Sequence, residues 1–263
     1  MGWLLVTNDD GVDSPALLPL VHELRRLAPV RVVVPDAERS WIGKAISRWD
    51  ELRVEKRVCD GVELHAVRGF PADCTNLGVH SLFEDPPELV ISGINIGLNV
   101  GLGFFLSSGT VGAAMEGWIA GIPSIALSMG VPDNDREWKR RARTELGLWQ
   151  DAARLCAELV RELRSAGYPD GVDLLSVNFP VGATLDTPRV FTELAAVGYE
   201  RLFRHSGDDH FVHDFSGALR NEAAASAQSD VSAVRAGRVS ITPVRLAHTA
   251  RVSDAVRKGL AGG

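Results

Sequence analysis

Two adjacent acids, Asp9 and Asp10, follow the apolar run Trp3 to Thr7 and precede Gly11 in the stretch NDDG. Side-by-side carboxylates repel each other and resist burial unless a cation or other positive group sits between them. A divalent metal meets that need, and a donor set of Asp, Ser and Asn oxygens suits magnesium or manganese better than zinc. Asp also caps turns and helices, so NDDG alone leaves metal binding and capping about equally open.

Three more segments with chemical potential sit where strands are expected to end. Pro35 to Ser40 reads PDAERS, Ser92 to Asn99 reads SGINIGLN, and Ser107 to Thr110 reads SSGT. In open parallel sheets, ligands bind at the carboxyl ends of strands near a switch in strand order. The glycine-rich run SGINIGLNVGLGFF lets backbone amides approach an anion, or is simply a flexible loop. SSGTVGAAMEG has the pattern of a helix whose first turn offers N–H groups and the hydroxyls of Ser108 and Thr110. That is a phosphate seat, although ordinary serine or threonine capping would leave the same pattern. A P-loop is excluded by the lack of GxxxxGK[ST], the glycines after the first strand do not match a dinucleotide fingerprint, and no GxSxG occurs. His205, His210 and His213 lie near Asp208, Asp209 and Asp214, which invites a second metal site but more often marks a solvated loop. His22 and His80 fall in helical patterns and His65 in a strand, where ordinary packing is expected. His248 is expected to meet a partner subunit.

These residues need a scaffold, and the chain spells one out. Trp3 to Thr7, Val30 to Val34, Val62 to Val67, Leu89 to Ser92, Ser124 to Ser128 and Leu174 to Val177 read as strands. Several are nearly continuous apolar runs, as in parallel strands covered on both faces. Leu17, Leu20, Val21, Leu24 and Leu27 recur at helical spacing behind Ser14 as N-cap and Pro15 at the first helical position. Further helices are expected from Ser108 to Ala120 and within Glu137 to Ala166. This alternation predicts an α/β fold with a mostly parallel, doubly wound sheet. From Arg189 onward short strands and polar stretches take over, with Phe203 to Phe215 rich in His and Asp and Glu222 to Ala236 small and polar. Arg251 to Leu260 is a possible last helix. The division expected is a core over 1–188 and an extension over 189–263 that packs on the core or on a neighbouring subunit.

The chain's 263 residues can bury a large core, and 45% hydrophobic with 24% charged residues is ordinary for a globular protein. A net charge of −6 without any basic run speaks against gripping nucleic-acid backbones. An anionic small substrate would then need a metal or helix N-termini for positive charge. Three scattered cysteines fit a reducing cytoplasm. Neither a signal peptide nor a membrane helix is expected, and the chain reads as cytoplasmic.

Taken in order, NDDG, the serine after the second strand, SGINxGxNxG and SGTVGAAMEG resemble the SurE family of survival-protein nucleotidases. FPADCTNLGV at 70–79 and VSITPVRL at 239–246 are similar to two further segments of that family, so the resemblance spans nearly the whole chain. It implies a three-layer, Rossmann-like core whose C-terminal extension is exchanged between subunits of a dimer or tetramer. It also implies a phosphatase that hydrolyses nucleoside 5′- and 3′-monophosphates with one divalent cation, magnesium or manganese, per subunit. Carried over by motif, the metal ligands are Asp9, Asp10, Ser40 and Asn95. Asn99, Ser108, Gly109 and Thr110 fall where the family seats the phosphoryl group, and Asp9, Asp10, Asn99, Ser108 and Thr110 carry the catalysis. The family usually has glycine after the ligand serine, where this chain has Trp41. It often has an aromatic before SGT, where this chain has Ser107. Trp41 is expected either to reshape the pocket mouth and stack on a base or to pack under a loop. A phosphatase for a sugar or metabolite phosphate, and a non-catalytic metal- or nucleotide-binding protein, are the competing expectations.

Overall fold

The structure is a computed structural model that describes residues 2–131, 146–214, 219–220, 225–249, 251–253, 256–257 and 260. Its centre is a nine-stranded sheet of β1 (Leu4–Thr7), β2 (Val30–Pro35), β3 (Val54–Cys59), β4 (Val62–Val67), β5 (Leu89–Ile96), β6 (Ser124–Met129), β7 (Leu174–Phe179), β8 (Arg189–Phe191) and β13 (Val239–Val244). The order across the sheet is β3-β4-β2-β1-β5-β6-β7-β13-β8. From β4 to β7 all neighbours are parallel, whereas β3 and β13 join antiparallel to β4 and β7. The chain leaves β1 toward β2 on one side and enters β5 on the other side of β1, which puts the switch in strand order beside Asp9.

Alternation along β1 shows why the runs are apolar throughout. Leu4 and Val6 face a core built with α1 (Leu17–Leu24) and a long helix, Leu146–Ala166. Leu5 faces the other way, onto a cluster with Val33, Val67 and Cys74 and Val79 of α2 (Pro71–His80). Helices cover both faces, so neither face of a central strand can be polar.

The six expected strands are present, several running one to four residues longer. The expected helix at 108–120 is Gly109–Ile119, capped by the Ser108 hydroxyl, which accepts from the Val111 amide at 3.2 Å. The long helix occupies Leu146–Ala166; the part expected before it lies outside the described residues, as do four of the ten residues from Arg251 to Leu260. One expectation is corrected. Ser14 is not the N-cap of α1: the helix starts at Leu17 behind Ala16, and the buried Ser14 Oγ has no hydrogen-bond partner. Residues 11 to 14 are consumed by a turn in which Gly11 adopts φ +82° and the Ser14 amide donates to the Gly11 carbonyl. A side chain at Gly11 would also strike the Ala37 backbone at 2.7 Å.

Counting helices along the chain, α3 is Leu102–Ser107, α4 is Gly109–Ile119, α5 is Leu146–Ala166 and α6 is Asp230–Arg235. Beyond residue 188, β8 and β13 belong to the main sheet. Two small pairs lie apart from it: β9 (Gly198–Tyr199) with β12 (Leu219–Arg220), and β10 (Phe203–Gly207) with β11 (His210–His213), the last two wholly exposed.

Candidate functional site

At the carboxyl ends of β1, β2, β5 and β6 lies a cavity of about 400 Å³. Its lining includes Asp9, Asp10, Ser40, Asn95, Asn99 and Ser108, six of the residues singled out in the sequence, together with Glu38 and Trp41. Gly109 and Thr110 do not line it. Two larger hollows, of about 550 and 600 Å³, gather no comparable set of strand-end donors. The first opens at the other end of the sheet, around Leu89 and Pro123.

Asp9 is 4% exposed and held from behind. The Thr110 hydroxyl donates to its Oδ1 at 2.5 Å, and the Thr110 amide bonds to the same carboxylate. This gives Thr110, fully buried on the first turn of α4, the task of fixing Asp9 instead of facing the cavity. Gly109 permits that approach, since a Cβ there would come within 2.8 Å of Asp9 Cβ and 2.9 Å of its Oδ2. Burial pushes the Asp9 pKa up from 3.8 to about 6, against the lowering effect of the Thr110 bonds and with a smaller push from the Glu38 charge. Asp10 is oriented from the far side by the Ile96 amide, which donates to its Oδ2 at 3.1 Å.

Of the remaining donors, Asn95 and Ser40 are oriented by neighbours two residues away and Asn99 by residues of other strands. The Asn95 amide nitrogen donates to the Gly97 carbonyl at 2.8 Å, which fixes which end of its side chain is the oxygen. Ser40 donates to Glu38 Oε1 at 2.7 Å, leaving the hydroxyl lone pairs as its donor face toward a cation. Asn99 is held twice: its amide nitrogen donates to Ser128 Oγ and its backbone N–H to Asn178 Oδ1, both at 2.8 Å. The Ser108 hydroxyl caps α4 as an acceptor while lining the cavity, so its own proton remains to be donated.

The loop after β2 that carries Ser40 has no regular structure but is tied down along its length. The Arg39 amide donates to the Asp9 carbonyl, and the Gly43 amide to the Ser107 carbonyl. Lys44 pairs with the buried Glu116 of α4 at 2.6 Å, and Glu116 also accepts from Asn76 at 2.7 Å. Ser47 binds Asp73 through amide and hydroxyl, and Asp73 in turn accepts from the Phe70 amide at the start of α2. At the tip, Trp41 adopts φ +59°, a left-handed conformation that costs a bulky residue about 1–2 kcal/mol. Its ring meets those of Phe104, Tyr199 and His213, with centroids 5.6, 5.3 and 5.0 Å away.

A family model described as Survival protein SurE matches residues 4–201. The chain belongs to the SurE family. It is 39% identical to the 5'-nucleotidase SurE of Methanocella arvoryzae over 94% of this chain and 93% of that one. With the 5'-nucleotidase SurE of Methanosarcina acetivorans it shares 35% identity over 95% and 94% of the two chains. Among solved structures, the SurE protein from Aquifex aeolicus superposes with a TM-score of 0.75 at 30% identity, covering 98% of this chain and 99% of that one. The mostly parallel α/β fold with helices on both faces is therefore the fold of this family.

Family membership leaves the individual residues to be judged by their surroundings. Among the described residues no three His, Cys, Asp or Glu side chains are grouped to hold a metal. A cation in this cavity would therefore draw on the neutral oxygens of Ser40 and Asn95 as well as on Asp9 and Asp10. In the histidine-rich stretch His213 packs its ring on Trp41 and Phe203, and His205 on Phe211, and no metal-holding group of three is found among its described residues. His65 is buried against Phe83, and burial lowers its pKa, as befits a packing residue. Three participants escaped the sequence reading. Glu38 lies inside PDAERS without a motif to mark it. Ser128 and Asn178, at the ends of β6 and β7, reach Asn99 only through the sheet register that pairs them. A polar residue closing an apolar strand was the one available signal for both.

Proposed function

We propose that the chain is a metal-dependent phosphomonoesterase that hydrolyses nucleoside 5′- and 3′-monophosphates to nucleoside and phosphate. The observation that carries this reading is the charge of the cavity. It has the amides and hydroxyls of an anion site, yet its lining holds three carboxylates, Asp9, Asp10 and Glu38, and no Lys or Arg. A phosphate dianion would be repelled from such a site. A divalent cation between the acids reverses that sign, and the burial that lifts the Asp9 pKa to about 6 marks a carboxylate short of a positive partner.

The donors fit a hard cation: Asp9, Asp10, Ser40 and Asn95 present oxygen alone, as magnesium and manganese prefer. When bound, the ion polarises a phosphoryl oxygen and lowers the pKa of a water. The chain's own groups do the rest. Ser108 donates its hydroxyl proton to the phosphoryl group, and the second N–H of the Asn99 amide does likewise. The Gly109 amide, on the first turn of α4, adds the positive end of a helix. Such fixed donors stabilise charge in the transition state without reorganising. Thr110 acts one step back by holding Asp9 in place.

The family relationship supports a homodimer or homotetramer in which residues 189–263 are exchanged. Exposed Phe203, Phe211, Val252 and Val256 in that part support it too. The free cysteines Cys59, Cys74 and Cys156 support a cytoplasmic setting, and no helix among the described residues is long and apolar enough to cross a membrane.

Phosphate release from AMP, GMP and their 3′ isomers, with chelator and then with added magnesium or manganese, tests the reading. Release that stops with chelator and returns with metal is expected. Undiminished release in chelator would remove the metal, and no release with any divalent ion would leave a binding protein.

A further inference from the structure

We infer that Trp41, Phe104, Tyr199 and His213 form the seat of the substrate's nucleobase, and that this seat reads the presence of a base more than its identity. The inference rests on the nucleotide reading above. The four residues come from four separate segments: the loop after β2, α3, β9 and β11. Their rings pack within the 4.5–7 Å range of favourable aromatic pairs, and Phe104 and Tyr199 are themselves 5.6 Å apart. Trp41 and Phe104 line the same cavity as the phosphoryl-binding Ser108 and the acids, so a ligand held at that end extends onto them.

Trp41 is not a core residue, because 39% of it is exposed, yet it is held at φ +59°. A bulky side chain persists in that conformation only where its surroundings over-determine it. Here three rings clasp an indole at the cavity mouth. Two hydroxyls of the wall are bound to each other: Tyr199 OH and Ser107 Oγ lie 2.7 Å apart, and Ser107 donates to the Gly103 carbonyl at 2.9 Å, the two bonds sharing that hydroxyl. The wall is made of four rings, so what it offers a base is chiefly π surface. Every base has a π face, and stacking on an aromatic side chain contributes roughly 5- to 150-fold in affinity, as judged by its removal. Discrimination among bases, which needs polar readers, should be much smaller.

The experiment compares kcat/KM for AMP, GMP, CMP and ribose 5-phosphate, with magnesium or manganese present, in the full chain and four variants. The parent should favour each nucleotide over ribose 5-phosphate by about tenfold or more, with a spread among nucleotides of under about fivefold. Trp41→Gly, which takes φ +59° without strain, should shrink the nucleotide-to-ribose 5-phosphate ratio about tenfold, mainly through KM. Trp41→Phe should restore most of it. Trp49→Ala, at a surface residue 83% exposed, should leave the ratio as in the parent. Equal losses on nucleotide and ribose 5-phosphate in Trp41→Gly would make the wall merely structural and overturn the inference. Should that variant fail to fold, the ratio in Phe104→Leu decides in the same terms. A parent that hydrolyses ribose 5-phosphate as well as AMP overturns the base seat while leaving a phosphomonoesterase. A parent that hydrolyses none of them overturns the functional reading itself, and the base seat with it.

Discussion

Replacing Asp9 by Asn should make the metal-free protein more stable while abolishing turnover. Burial raises the Asp9 pKa from 3.8 to about 6, a rise of roughly two pH units, and each unit corresponds to about 1.4 kcal/mol. Below pH 3.8 the carboxyl is protonated whether the chain is folded or not, and no penalty arises. Between 3.8 and 6 the unfolded chain has ionised Asp9 but the folded one still binds the proton, so stability falls as pH rises. Above pH 6 the full penalty, about 3 kcal/mol, is present. Asn keeps an oxygen for the Thr110 hydroxyl and carries no charge. In chelator at pH 7.5, Asp9→Asn should therefore unfold at higher denaturant, by up to about 3 kcal/mol, or melt roughly 6–10 °C higher. The gap should close by about pH 4. Added magnesium or manganese should raise the melting temperature of the parent and not of the variant, because only the parent gains by binding it. Chelator and pH series of thermal and urea melts measure all of this. A variant no more stable than the parent at pH 7.5 in chelator, or a gap that widens toward acid, would refute the argument.

Two other substitutions probe how the site is braced. Asp230 is buried on α6 and accepts from the amides of Gly101, Ala195 and Val231 at 2.7, 3.0 and 2.8 Å, which oppose the upward pKa push of its burial. Asp230→Ala strands the Gly101 and Ala195 amides and should cost about 2–4 kcal/mol in urea unfolding; no loss would mean that water replaces the carboxylate. Gly109→Ala places a methyl 2.8 Å from Asp9 Cβ, so the acid must shift. A misplacement of about 1 Å lowers turnover by on the order of 100-fold, and steady-state assays should show this in a variant that still folds.

Much of the fold could be read directly because central strands buried on both faces leave uninterrupted apolar runs. The elements that escaped lack such runs. β3 is an edge strand whose VEKRVC carries three charges, and none of its residues is fully buried. α2, marked in the sequence only by the helical pattern around His80, packs small residues, Ala72, Thr75 and Gly78, so it has no bulky stripe; Gly78 lies so close to β1 that a Cβ would meet Leu5 at 2.8 Å. α3 hides inside a glycine-rich segment. In the site, the acids and asparagines were legible because polar residues at the ends of apolar strands are conspicuous. Thr110 showed that placement is not orientation: being on the first turn of a helix did not say whether its hydroxyl faced a ligand or Asp9. Asn178 was invisible because its partner, Asn99, comes from elsewhere in the chain; Glu38, bound to Ser40 two residues on, stood in no motif.

The fastening of the loop after β2 carries a consequence for how such an enzyme diversifies. Arg39, Gly43, Lys44 and Ser47 are each bound to a different part of the scaffold, on either side of position 41. The residue at 41 can therefore be exchanged through descent without dragging Ser40 or the acids out of register. With the base seat and metal site proposed above, substrate preference and hydrolytic chemistry would be separable traits, the first set at a loop tip and the second at the strand ends beneath it.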